Sequence, residues 1–144
     1  MMKGQSSLEV LITVGVVLAF TVPVLFLLLT LTSMGYQQTA AAQAGASASS
    51  LADVMNFVYS QGPGASEAIL LNVPASTVDI YAANHEAVVS IKTASGVSDE
   101  VAPTFAEIDT GVQDMNRTTG EPTGLFTEII QMTPDGVTFV APSQ

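Results

Sequence analysis

The chain has 144 residues and a formal net charge of −10, set by 13 acids against 3 Lys and Arg. Phosphate recognition runs on Lys and Arg, so this balance argues against a nucleic-acid partner. With no cysteine, disulfide frameworks, thiolate zinc sites and cysteine nucleophiles are excluded.

The first element follows directly from hydropathy. Met1-Met2-Lys3-Gly4-Gln5-Ser6-Ser7-Leu8-Glu9-Val10 opens the chain, and an apolar stretch runs from Val10 to Met34. No charged residue occurs between Glu9 and Asp53. Roughly 20 apolar residues cross a bilayer as a helix, and lipid forces the backbone to satisfy its own hydrogen bonds, so the segment is predicted to be helical. Lys3 is the nearby cation, which places the N-terminus in the cytoplasm and the rest outside. Three readings compete. One is a plain membrane anchor. A second is a secretory signal peptide, with Ala42-Gln43-Ala44 or Ala46-Ser47-Ala48 as the cleavage site. Against it, the apolar run exceeds the usual ~7–15 residues, and the region before it is weakly basic and carries Glu9.

The third reading comes from the residues around Gly4. Lys3-Gly4-Gln5-Ser6-Ser7-Leu8-Glu9-Val10 resembles the class III signal peptide of archaeal type IV pilins, in which a basic residue and Gly precede the cut and Gln-x-Ser-x-Glu and a hydrophobic residue follow it. Lys3 and Gly4 match the leader side; Gln5, Ser7, Glu9 and Val10 match the mature side. The resemblance covers about the first 35 residues. It implies cleavage between Gly4 and Gln5 by a membrane prepilin peptidase, with Lys3, Gly4 and Gln5 as the peptidase site. It also implies an assembly ATPase, a membrane platform protein, and polymerisation of the chain with itself through the N-terminal helix. The new amino group of Gln5 would then be paired by Glu9 of a neighbouring subunit. A buried charge left unpaired costs several kcal/mol, so such a pair sets register more than stability. The same residues also have a local reading. Ser6 or Ser7 is suited to cap the helix, and Glu9 then lies in the first turn, where the dipole favours an acid.

From Gly35 to Ser60 the chain is rich in Ala, Ser and Gln and free of Pro. Alanine is the best helix former, so the helix is expected to continue. Ala40, Ala44 and Ala48, and Ala41, Gly45 and Ser49, recur at four-residue spacing, which favours close approach of another helix. Leu51, Val54, Met55 and Val58 form an apolar stripe predicted to dock the helix on the head. Gln61-Gly62-Pro63-Gly64 ends it. A helix from Ser6 to Ser60 would be roughly 80 Å long, which suits a filament better than a domain of this size. Pro23 is expected to bend or locally melt it.

Past Gly64 the period changes. Strands are predicted at 67–73, 77–82 and 86–92, the last two joined by a turn at Asn84-His85. In the second, Val78, Ile80 and Ala82 are expected on one side and Thr77, Asp79 and Tyr81 on the other. Residues 126–132 and 137–140 form a further pair around Pro134-Asp135-Gly136. Residues 94–124 read as irregular, with a strand or short helix over 101–108. The expected fold class is α+β: a long N-terminal helix, apolar in its first half, with a small C-terminal antiparallel sheet of four to five strands. The segments are a leader (1–4), the helix (5–60, with 10–34 as membrane or filament core) and the head (61–144).

No site for chemistry stands out. Asp109-Thr110-Gly111 matches an aspartic-protease triplet, but that chemistry needs two aspartates sharing a proton, and the triplet is also an ordinary turn. His85 is the sole histidine and reads as a solvated turn residue. Asp99, Glu100, Asp109, Asp114 and Glu121 supply oxygens suited to calcium but lack an EF-hand spacing. Asn116-Arg117-Thr118 is a glycosylation sequon. The expectation is therefore a non-enzymatic structural subunit with no cofactor and no metal. It is held in the membrane as a precursor and later displayed in an extracellular adhesive filament. The alternative is a single-span membrane protein displaying a binding head.

Overall fold

The computed structural model describes residues 3–109, 112–115 and 124–140, with the side chains of residues 3–6 and 112–114 outside that description. One helix, α1 (Lys3–Gln61), precedes seven strands: β1 (Ser66–Val73), β2 (Thr77–Ala83), β3 (Glu86–Thr93), β4 (Gly96–Pro103), β5 (Val112–Asp114), β6 (Gly124–Thr133) and β7 (Gly136–Val140). The chain divides into two units, one ending at Gln37 and one starting at Gln38.

In the first unit α1 is helical from Lys3 onward. Ser6 and Ser7 therefore do not cap it, and Glu9 lies beyond the first turn. Once a long run of helix formers has nucleated, each added residue gains a hydrogen bond, so the ladder extends back through Gly4. The helix also continues through Pro23 without a break. A proline removes one donor but does not end a helix whose remaining ladder is intact on both sides.

In the second unit the strands form two antiparallel sheets, in the orders β1-β6-β7 and β4-β3-β2-β5. This corrects the expected single sheet of four to five strands. The additions are β4 and β5, both inside the stretch that reads as irregular. β4 is an edge strand, paired among the described residues to β3 alone, from Glu86↔Pro103 to Thr93↔Gly96. Its Asp99 and Glu100 interrupt any apolar alternation. An edge strand carrying charge is a common protection against pairing with other chains. Residues 104–109 then return to the other sheet, where Ile108 forms a parallel bridge with Val137.

The β2–β3 turn is built as expected. Ala83 pairs with Glu86, and Asn84 and His85 both take positive φ, 51° and 62°. This is the two-residue hairpin geometry that matches strand twist. The alternation in β2 differs from expectation at its start: Thr77 is buried and Val78 is 50% exposed. The cause is a bulge between Thr77, which pairs with Ile91, and Asp79, which pairs with Ser90. One extra residue sits opposite its partner, so the alternation flips.

Both sheets and the second half of α1 share one core. Ala44, Ala48, Leu51, Ala52, Met55 and Val58 of α1 pack with Ile69, Leu71, Ile80, Val89, Ile91 and Ile130, among others. The helix contributes at three- and four-residue intervals, the spacing of one face. Its exit is marked by Gly62 at φ 88° and Gly64 at φ 95°, with Pro63 between them. The Gly62 amide donates to the Tyr59 carbonyl at 3.2 Å, which closes the last turn.

Candidate assembly helix and surfaces of the head

The apolar half of α1 has no cover within its own unit. Its large hydrophobic side chains between Leu8 and Met34 range from 45% exposed at Val22 to 73% at Phe20. The four threonines in this stretch each donate their hydroxyl to the carbonyl four residues back: Thr13 to Glu9, Thr21 to Val17, Thr30 to Phe26 and Thr32 to Leu28, at 2.7–2.9 Å. The hydroxyls are thus satisfied without water, as a hydrocarbon or helix-packed environment demands. The segment is long and apolar enough to cross a membrane. Glu9 is exposed at its start. Lys3, Gly4 and Gln5 lie in α1, but their side chains fall outside the described residues.

Within the second unit the predicted docking stripe divides. Leu51, Met55 and Val58 are buried to 1% exposure or less, while Val54 is only partly buried at the edge of the core. Ala44 and Ala48 are also fully buried. One of the two small-residue lines is therefore consumed inside the head, where small side chains let strands approach the helix. The other line is half-buried at Ala41 and Gly45 and exposed at Ser49.

Polar side chains that the sequence pattern does not single out tie the helix to the head. Asn56 Oδ1 accepts from the Thr104 hydroxyl at 2.6 Å and from the Phe105 amide at 2.9 Å. The Thr104 hydroxyl in turn accepts from the Ala106 amide at 3.1 Å. Tyr59 meets Phe105 edge-on, with ring centroids 6.2 Å apart. Ser47 and Gln43 both donate to the Asn72 carbonyl, at 2.9 and 3.2 Å. Asn56→Ala would leave the Phe105 amide and Thr104 without that partner. The expected loss is about 1–3 kcal/mol, seen as a fall of several degrees or more in the melting temperature of the full chain by circular dichroism. An unchanged melting temperature would mean that this clamp carries no stability.

The remaining candidates are mostly structural. His85 is exposed, and its Nδ1 donates to the Ala106 carbonyl at 3.1 Å. Its own carbonyl accepts from the Thr104 amide at 2.8 Å. The Asp109 amide donates to the Val137 carbonyl at 3.0 Å, and its Oδ2 accepts from the Thr133 hydroxyl at 3.3 Å. Asp109 thus pins the return segment to the β6–β7 hairpin; Thr110 and Gly111 lie outside the described residues. Asp99 accepts from the Ser90 hydroxyl at 2.6 Å. Among the described residues no three His, Asp or Glu side chains gather where a metal could sit. Glu121, Asn116 and the side chain of Asp114 lie outside them. An open cleft of about 430 Å³ is bordered by the turn residues Asn84, His85 and Asp135 and by Glu107 and Ile108 of the return segment.

Comparison with protein-family models, with curated proteins and with solved structures found no match. The functional reading therefore rests on the chain itself.

Proposed function

We propose that the chain is a structural subunit of an archaeal type IV pilus-like filament, cut between Gly4 and Gln5 by a prepilin peptidase and polymerised through its N-terminal helix. The observation that carries this reading is the apolar surface of α1 from Leu8 to Met34, which lacks cover within its own unit. Such a surface belongs either in lipid or against other helices, and a pilin uses both in turn. Moving from lipid into a helix bundle changes little hydrophobic energy, so packing between helices drives assembly. The motif around Gly4 supports the peptidase as the step between the two states. The assembly ATPase and platform protein follow from the same resemblance, as does a cell-surface filament used for adhesion. The acidic head suits a solvated outer face, and nothing in this reading requires catalysis or a cofactor.

Glu9 gives the test. As the partner of the Gln5 amino group of a neighbouring copy, it satisfies that buried charge and fixes the register of packing. Leaving a buried charge without its partner costs about 3–5 kcal/mol, enough for a hundredfold loss of assembly or more. Cells expressing Glu9→Ala are expected to hold the protein in the membrane fraction while filaments vanish from electron micrographs. Filaments at wild-type abundance would remove Glu9 from assembly. A membrane protein that forms no filaments even as wild type would leave the single-span anchor with a displayed head.

A further inference from the structure

The two sheets of the head turn outward faces of opposite character. On the four-stranded sheet the register puts Lys92 and Val97 in one outward row, Asp79, Ser90 and Asp99 in the next, Tyr81, Val88 and Val101 after that, and Glu86 beyond them, three carboxylates against one cation. The carboxylates make this face net negative; burial first, and then Asp99, Asp79 and Glu86, hold the Tyr81 hydroxyl above its ordinary pKa.

The three-stranded sheet is different. Ala68, Ile129 and Val140 share a row, Leu70 pairs with Thr127, and Asn72 pairs with Leu125. Every described residue that registers on this outward side, from Ser66 in β1 to Val140 in β7, is uncharged. Leu70 is 60% exposed and Leu125 65%. In a chain of net charge −10, an uncharged face of this extent with leucines standing in solvent points to contact rather than solvation.

We propose that the outward face of β1-β6-β7 docks a second copy of this chain, the same face packing against itself. The occupant follows from charge. Copies of an acidic chain repel, and like charges brought together across an interface cost several kcal/mol. Of the two outward sheet faces, this is the one on which a second copy meets no carboxylate among the described residues. A face without charge is also complementary to itself, as a two-fold contact requires. From strand spacing and rise, the face covers on the order of 350 Å² per copy, against roughly 800 Å² per partner in stable complexes. The contact is therefore weak between dilute heads and forms where many heads are held close, because tethering raises effective concentration to the millimolar range. It does not rest on leader cleavage, and it applies to uncut chains sharing one membrane.

The absence of cysteine makes the test clean. Thr127→Cys places the only thiol in the middle of the face, and Val101→Cys places it on the acidic face. Each full-length, uncut chain is reconstituted at high density in neutral lipid vesicles and treated with a short bis-maleimide. Thr127→Cys is expected to give covalent dimers at roughly ten times the yield of Val101→Cys. Adding Leu125→Asp to Thr127→Cys is expected to cut that yield about tenfold, a change that corresponds to about 1.4 kcal/mol. Leu125 is exposed, so an unchanged circular dichroism melt shows that the fold survives. Equal yields from both positions, or no dimer from Thr127→Cys, would overturn the proposal. So would a Thr127→Cys thiol that lipid shields at low protein density, which would assign the face to the bilayer instead.

Discussion

Gly136→Ala is expected to destabilise the head more than any other replacement of a single hydrogen. Gly136 opens β7 at φ 142°, a conformation that L side chains rarely adopt. Space is also lacking: a Cβ there would sit 2.6 Å from the Asp109 amide nitrogen and 2.9 Å from both the Glu107 carbonyl oxygen and the Ile108 carbonyl carbon. All three are backbone atoms and cannot swing aside. They belong to the segment held by the Val137 amide donating to the Glu107 carbonyl at 2.7 Å and the Asp109 amide donating to the Val137 carbonyl at 3.0 Å. The alanine must therefore push residues 107–109 off β7 and lose those bonds. Backbone strain of about 1–3 kcal/mol adds to overpacking of about 1–3 kcal/mol. For a head of this size each kcal/mol lowers the melting temperature by roughly 4–8 °C, so a fall of about 10 °C or more is expected in circular dichroism of the full chain in detergent. Gly64→Ala is the control. It shares the positive φ of 95° but has nothing within 4 Å of the added carbon, so it should show the strain alone. Equal effects at the two positions would show that the 107–109 segment does not pack on β7 as described.

The second large effect lies in the helix. Leu51 and Met55 are both fully buried where α1 meets the two sheets. Leu51→Ala removes buried methyl groups and leaves a cavity, which costs about 2–5 kcal/mol. Val54 is only partly buried, so Val54→Ala should cost well under half as much. Chemical denaturation of the full chain, followed by the circular dichroism of the strands, resolves the two. The expected order is Leu51→Ala far below Val54→Ala, with Val54→Ala near wild type. The reverse order would mean that the helix presents a different face to the head. These two side chains stand three residues apart on one apolar stripe, and only packing distinguishes them.

That distinction shows where sequence reading reaches its limit. The helix was legible because an uncharged apolar run and an Ala-rich run follow one another with a single proline between Lys3 and Gln61. The hairpins at Asn84-His85 and Pro134-Asp135 were legible because turn residues have local causes. β4 was not, because an edge strand takes polar residues on both faces and so loses its alternation. At Thr77 and Val78 the start of β2 departs from the local alternation, because a bulge depends on the partner strand and not on local composition. No local pattern marks Asn56, because its role depends on Thr104 and Phe105, 48 and 49 residues away. The same holds for Gly136, where the turn was readable and the segment packed upon it was not. The charge-free face of β1-β6-β7 exists only once the register of three strands is known.

How the N-terminal helix is made and used is decided at the N-terminus of the native protein. Mass spectrometry of the protein from its own cells, in wild type and in Gly4→Arg, should find a wild-type chain starting at Gln5 with its amino group free, and an uncut chain in the variant. A wild-type chain that starts at Met1 or Met2 would contradict the account and leave a membrane anchor. A start near Gly45, after Ala42-Gln43-Ala44, would contradict it in favour of an ordinary secreted protein.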